Sequence, residues 1–258
     1  MSTVERLIQC ETRGSAAWIW FDRDSKRNAW TPELVDMFTW ALISADNDPS
    51  IRSVVVAAKG KCFCAGMDLS VSKNLDLPGY RAYYRKYENL RETIKWLSKP
   101  VIARVQGDGY GDGTAILECF DITVAAKAAK FGLREVNAGL SAGGLLFFEL
   151  GRARALELCI TGRSFTGAEA ESWGLIARAV EPADLDATVQ EYVDIFAELP
   201  PLAVAQTKRG ANMVLGIAGQ DAARKVTREV QIGTFESEDR KDAMQALLEK
   251  RKAVFSGR

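Results

Sequence analysis

The apolar positions of this chain follow two periods, and the switch between them marks its elements. Ala16-Ala17-Trp18-Ile19-Trp20-Phe21 is a continuous apolar and aromatic run, and Ser53-Val54-Val55-Val56-Ala57-Ala58 is another. At this length and composition both predict buried strands. Between them Leu34, Val35, Phe38, Leu42 and Ile43 recur at helical spacing. Thr31-Pro32-Glu33 predicts where that helix begins: a capping hydroxyl, a proline at the first helical position and an acid in the first turn. Asn47-Asp48-Pro49 predicts its end. The charged stretch from Asp22 to Asn28 reads as a turn, so the N-terminal region reads strand, helix, strand.

Similar units follow. Cys62-Phe63-Cys64-Ala65-Gly66-Met67-Asp68-Leu69 is a turn of small residues, and the polar segment up to Pro78-Gly79 reads as a loop. Tyr80 to Leu97 predicts a helix whose tyrosines at 83, 84 and 87 read as packing groups. Pro100 to Val105 and Ile122 to Ala126 predict strands, and the region from about Leu145 to Ile160 predicts one helix. Phe147 and Phe148 on it read as core. Thr166-Gly167-Ala168-Glu169 has the capping-box pattern, and Ile176 to Val180 reads as a short strand or turn. From Leu185 onward the spacing is helical, broken at Pro200-Pro201. The order is βα units first and helices last, an α/β chain dividing at 1–195 and 196–258.

Composition narrows the chemistry. The 258 residues carry 34 Lys+Arg against 34 Asp+Glu, so no basic field argues for nucleic acid. No apolar run reaches the length of a membrane helix, and the N-terminal segment carries an acid where a signal peptide needs an apolar stretch. A soluble protein of the cytoplasm is expected. The five cysteines form no CxxC pair and read as reduced thiols, with Cys10, Cys119 and Cys159 in apolar patterns. There is no histidine. That excludes Ser-His-Asp and Cys-His catalysis and every histidine metal site, and leaves proton transfer to Asp, Glu, Tyr, Lys, Cys or water.

The most chemical stretch is Val105-Gln106-Gly107-Asp108-Gly109-Tyr110-Gly111-Asp112-Gly113-Thr114. It follows a predicted strand and opens a predicted helix. Four glycines at alternate positions let backbone approach a ligand and leave N–H groups free to donate. It does not fit Gly-x-Gly-x-x-Gly, because Asp112 and Thr114 stand where that pattern needs glycine, and no phosphate-loop ending follows. Two readings remain from the residues alone: a tight connection, or a site for an oxygen that gains negative charge.

The order of motifs resembles a known family. The two glycine turns are followed by Phe131-Gly132-Leu133-Arg134-Glu135-Val136, then by Gly151-Arg152-Ala153-Arg154-Ala155-Leu156-Glu157-Leu158, Thr161-Gly162-Arg163 and Trp173-Gly174-Leu175. This arrangement resembles the crotonase (enoyl-CoA hydratase/isomerase) superfamily, from Lys26-Arg27-Asn28-Ala29 to Val254-Phe255. The resemblance implies a ββα spiral core with a helical C-terminal region that drives trimerisation, or assembly to a hexamer. It implies an acyl-CoA thioester substrate and no separate cofactor or metal, coenzyme A being part of the substrate. It implies that the Met67 and Asp112 N–H groups hold the thioester oxygen; the family commonly has glycine where Asp112 stands, and because a carboxylate pointing inward would be unfavourable there, its side chain is expected to turn away. Lys26, Arg27, Ala29, Ala65, Asp68, Leu69 and Gly111 would contact substrate, with Lys252 and Phe255 as further candidates for coenzyme A.

Two departures qualify what it implies. Family hydratases use two glutamates; Glu135 matches one, but the other position is Ala115. Glu118 shares that helical face roughly 5 Å away. The sequence leaves open whether it substitutes or has a structural or intersubunit role. The glycine-rich segment from Gly139 to Leu150 is also short for the family. A single glutamate suits moving a proton between two carbons of an enolisable thioester. Single-acid hydration, as in family hydratase-lyases, is the other outcome, although Val226 to Glu236 lacks the tyrosine those enzymes use. The competing class is a CoA-ester binding or scaffold protein of the same fold.

Overall fold

The computed structural model describes residues 7–142, 146–233 and 235–255. In chain order its elements are β1 (Ile8–Arg13), β2 (Ala16–Phe21), α1 (Pro32–Asn47), β3 (Ser53–Ala58), β4 (Cys62–Cys64), α2 (Leu69–Ser72), α3 (Leu77–Trp96), β5 (Val101–Val105), β6 (Asp108–Tyr110), α4 (Asp112–Ala115), β7 (Ile122–Ala126), β8 (Lys130–Gly132), α5 (Leu146–Glu149), α6 (Gly151–Thr161), β9 (Phe165–Thr166), α7 (Gly167–Ser172), β10 (Arg178–Val180), α8 (Leu185–Glu198), α9 (Pro201–Ile217), α10 (Gln220–Gly233) and α11 (Glu238–Glu249). One sheet has the order β1-β2-β3-β5-β7-β10; a smaller one has β4-β6-β8-β9. Pairing is parallel except where β1 meets β2 and β8 meets β9.

This topology is a spiral. β3, β5 and β7 enter the large sheet, and the strands directly after them, β4, β6 and β8, form the small one. The short turn between the two strands of each unit sends them into different sheets. What the sequence presents as small-residue turns at 62–64 and 108–110 therefore forms hydrogen-bonded strands. Their shortness, three residues each, hid them from any periodicity.

The large sheet is buried on both faces, as a parallel sheet should be. Ile19 and Phe21 of β2 and Val54 and Val56 of β3 join the main core with α1 and α3. The alternate residues Trp18, Trp20, Val55 and Ala57 meet Leu185, Val189 and Val193 of α8 on the other side. Phe21, Trp30, Phe38 and Phe63 meet edge to face, with Phe21 at 4.9 to 5.7 Å from the other three. Such pairs contribute about 0.5–1.5 kcal/mol each beyond their burial.

Several elements differ from their predicted form. β1 is an edge strand whose side chains are mostly exposed, so its backbone pairing left no apolar signature, and Cys10 lies exposed on it. The predicted 70–79 loop contains α2 and the start of α3, which Asp76 caps by accepting from the Gly79 N–H at 2.8 Å. The single helix expected over 145–160 is two, α5 and α6, broken where Gly151 takes φ +69°. Phe148 is exposed rather than core, and the Phe147 side chain lies outside the described residues, as do Gly143, Gly144 and Leu145 of the short glycine-rich segment. The division at 195/196 falls inside α8. The last helix, α11, returns to the core: a Cβ at Gly139 would stand 2.4 Å from the Arg240 Cα, so only glycine admits it there.

Candidate active site

A cleft of about 540 Å³ opens where the first turns of the spiral meet α3, the Glu135 segment and α11. Lys26, Arg27, Ala29, Ala65, Met67, Asp68, Leu69, Gly111, Asp112 and Glu135 all border it. Residues spread over 110 positions of sequence are thus brought together by the two-sheet spiral. Lys252 and Phe255 do not border the cleft of their own chain, and Phe255 is exposed. Another cavity of similar size, between the end of α3 and α9, is lined by Lys95, Trp96 and Met213 among others and includes no carboxylate.

The two glycine turns touch each other. A Cβ at Gly113 would stand 2.2 Å from the Cys64 carbonyl oxygen, and one at Gly107 would stand 1.9 Å from that of Lys61. These two glycines, with Gly109 against the Gly113 carbonyl, serve backbone-to-backbone packing. For them the tight-connection reading holds. Gly111 differs. It takes φ +55° and ψ −124°, which an L side chain rarely adopts, and a Cβ there would stand 3.5 Å from Glu135 Oε1 and 3.8 Å from the Gly66 Cα. The seam between the turns therefore faces the Glu135 carboxylate.

In each turn a residue that borders the cleft, Met67 or Asp112, has an N–H that no described residue accepts from. In the first, Trp30 N–H donates to the Gly66 carbonyl at 2.8 Å and Asp68 N–H to the Trp30 carbonyl at 2.9 Å, bracketing Met67 and leaving its N–H out of the pairing. In the second, Asp112 opens α4, where helix geometry gives its N–H no intrahelical acceptor. The Gly111 N–H beside it donates to the Gly132 carbonyl at 2.9 Å.

Three carboxylates border the cleft. Asp68 Oδ2 accepts from Arg23 Nη1 at 2.7 Å, and its Oδ1 accepts from Ser70 N–H at 2.9 Å, Asp68 itself being buried. Burial pushes its acidity down, but the Ser70 and Arg23 contacts outweigh that and hold it below the usual carboxylate range. Asp112 turns its carboxylate toward α3, where Tyr83 Oη donates to Oδ2 at 2.9 Å, yet it still borders the cleft. Burial raises its pKa, with the Tyr83 bond and the Arg91 charge opposing. Glu135 stands in a 3-10 turn over Glu135–Ala138, half-buried, with Oε2 sealed from solvent and without a hydrogen-bond partner among the described residues. Burial lifts its pKa to about 8; its own N–H opposes and the Asp112 charge adds to the shift. A carboxyl that titrates near neutrality, beside two unpaired N–H groups, can exchange protons with a bound molecule.

Neither Ala115, which stands at the second glutamate position, nor Glu118 borders the cleft. Ala115 packs against the main core, and Glu118 pairs with Arg91, their side chains 2% and 8% exposed. The structural role is the one Glu118 shows.

Several cleft residues were missed. Tyr80, Tyr83 and Tyr84 of α3 border the cleft instead of serving only as packing, with Tyr110, Asn137, Leu140, Met244 and Leu247. The spacing of 80, 83, 84 and 87 on one helical face was the available signal. Asn28 is buried and pins the Lys26–Ala29 loop: its Nδ2 donates to the Lys59 and Cys62 carbonyls at 2.9 and 2.7 Å. It sits at φ +53°, a conformation asparagine tolerates better than most residues.

Among the described residues no helix is long and apolar enough to cross a membrane. Comparison with known proteins agrees with the fold. The family model for enoyl-CoA hydratase/isomerase matches residues 11–258. The enoyl-CoA hydratase EchA19 of Mycobacterium tuberculosis is 32% identical over 268 residues, spanning all of both chains. The short-chain-enoyl-CoA hydratase of Clostridium acetobutylicum is 30% identical and covers 94% of each chain. The solved structure of an enoyl-CoA hydratase/isomerase from Pseudoalteromonas atlantica superposes with a TM-score of 0.85 at 25% identity, covering 97% of this chain and all of that one. The two-sheet spiral, the helical C-terminal region and these matches place the chain in the enoyl-CoA hydratase/isomerase family, the crotonase superfamily, whose members act on acyl-CoA thioesters.

Proposed function

We propose that the thioester carbonyl oxygen of an acyl-CoA lies on the Met67 and Asp112 N–H groups and that Glu135 is the single acid/base. One observation carries this reading: the Glu135 carboxyl faces the seam where the two amide-bearing turns meet, 3.5 Å from where a Gly111 Cβ would be. Proton abstraction beside a thioester makes an enolate, whose oxygen takes up negative charge. Fixed amides stabilise that charge without reorganising, each being worth roughly 3–4 kcal/mol of barrier. Of the three cleft carboxylates, Asp68 is held by Arg23 and Asp112 by Tyr83, which leaves Glu135 to move the proton. With an alanine at 115 and Glu118 tied to Arg91, the reading favours a proton returned to another carbon, a double-bond shift. Hydration through Glu135 alone is the alternative.

Glu135→Gln should abolish turnover while CoA-ester binding persists; near-normal turnover overturns the assignment. A panel of enoyl-, 3-enoyl- and aromatic CoA esters, read by absorbance and mass spectrometry, separates the outcomes. Isomerisation leaves the mass unchanged, hydration adds water, and binding without product across the panel indicates a CoA-ester binding protein. Lys26 and Arg27, exposed at the mouth, are assigned to the CoA phosphates. The chain is also read as a homotrimer or hexamer. No residue of α9 is buried, and Leu202, Val214 and Ile217 on it are 70%, 66% and 86% exposed, an apolar surface that a second copy would cover. Light scattering that gives a monomer at working concentration overturns this.

A further inference from the structure

Asp112 presents two groups of opposite use. In the reading above its N–H serves the thioester oxygen. Asp112 borders the same cleft, and an ionised carboxylate that swung from Tyr83 to the amide pair would repel the charge growing on that oxygen. It would also compete for the donors.

The structure holds the carboxylate elsewhere. Tyr83 Oη donates to Asp112 Oδ2 at 2.9 Å, and one turn along α3 Tyr87 Oη donates to the Asp112 carbonyl at 3.3 Å. Both tyrosines are buried, and α3 is a twenty-residue helix, a rigid support. Tyr87 is itself wedged edge-on against Trp30 at 5.6 Å. One residue of the glycine turn is thus gripped at its side chain and at its backbone by two hydroxyls from one helical face.

We propose that Tyr83 is a positioning residue for the reaction: it holds the Asp112 carboxylate against α3, so that the site offers the Asp112 N–H without its charge. This rests on the thioester lying on the Met67 and Asp112 amides. The groups that face the Asp112 carboxylate electrostatically are Tyr80, Tyr83, Tyr84, Tyr87 and Arg91 of α3, Cys64 of β4 and Glu135. Arg91 is paired with Glu118. Tyr83 therefore supplies the direct hydrogen bond to that carboxylate among the described residues.

The test is a double-mutant cycle on the CoA ester that the wild-type chain turns over. Tyr83→Phe should lower kcat about tenfold with KM within about twofold, a transition-state loss. That loss should deepen as pH rises and Asp112 ionises. Adding Asp112→Asn to Tyr83→Phe should bring kcat up to that of Asp112→Asn alone, because no charge is left to restrain. Additive single effects, or a Tyr83→Phe loss that is flat in pH, overturn the proposal and leave Tyr83 as packing. Should Tyr83→Phe fail to fold, Asp112→Glu displaces the carboxylate with Tyr83 intact; a loss that deepens with pH supports the proposal and a pH-flat one overturns it. Glu135→Gln in the same assay separates the two levels. If it is near wild type, the reading of the site fails; if it is inactive while the cycle is additive, only the role of Tyr83 fails.

Discussion

The two glycine turns present the same group, an unpaired N–H, and hold it by opposite means. The 64–68 turn is bracketed by Trp30 through backbone bonds on both sides of Met67, and the carboxylate beside that N–H is neutralised by Arg23 at 2.7 Å. The 109–114 turn is fixed by Thr114 Oγ1, which donates to the Gly109 carbonyl at 2.8 Å and accepts from Gly132 N–H at 2.9 Å, and by the tyrosines of α3. Its carboxylate has a phenol, not a cation, as its partner. An ion pair lowers a carboxyl's pKa, whereas burial against a neutral donor raises it, and Asp68 and Asp112 shift in those opposite directions. The first carboxylate is thus paired with a cation, whereas the second is held by a neutral hydroxyl and lies beside Glu135.

The comparison can be broken at the ion pair first. Arg23→Ala leaves Asp68 buried without its cation and should cost about 3–5 kcal/mol of stability in urea unfolding. A cost under about 1 kcal/mol would show that Trp30 alone holds the first turn. Gly111→Ala attacks the second turn. The space accommodates a Cβ, but φ +55° with ψ −124° does not suit alanine, so the peptide should rotate and take the Asp112 N–H with it. A kcat loss of about 10² to 10³, some 3–4 kcal/mol, is expected, as for loss of one oxyanion donor; retained kcat removes Asp112 from that role.

Glu135→Gln sharpens the electrostatics. The folded pKa of Glu135 is about 8 against 4.5 for the free group, so the folded chain binds the proton more tightly. The contribution is fully present below pH 4.5 and is lost as pH rises to about 8. The glutamine variant, which does not titrate, should gain stability relative to wild type by a few kcal/mol over that window, at about 1.4 kcal/mol per pH unit. Parallel melting curves at acid and alkaline pH would show that Glu135 is not buried as a neutral acid. In the same window kcat/KM should climb with an apparent pKa near 8 as Glu135 becomes a base. The smallest effect belongs to Asp112→Asn. Removing the neighbouring charge should move that limb to lower pH by less than about one unit, and an upward shift would deny the coupling.

Strands β2, β3, β5 and β7, the capped helix α1, the capping box at Thr166 and the order of βα units were legible in the sequence, because each rests on side-chain period or local capping within a few residues. Its motif order also named the family, and with it the residues that meet in the cleft. It could not show the three-residue strands of the small sheet, because a strand that short carries no period, nor the edge strand β1, whose pairing is made by backbone. It could not separate Gly111 from Gly107, Gly109 and Gly113, since what a missing Cβ makes room for depends on which segment packs there. Only the tertiary structure tied Glu118 to Arg91 and turned the α3 tyrosines from packing groups into partners of Asp112. Those contacts join residues 25 to 29 positions apart across the spiral, and long-range packing, not local pattern, decides what a buried polar side chain faces.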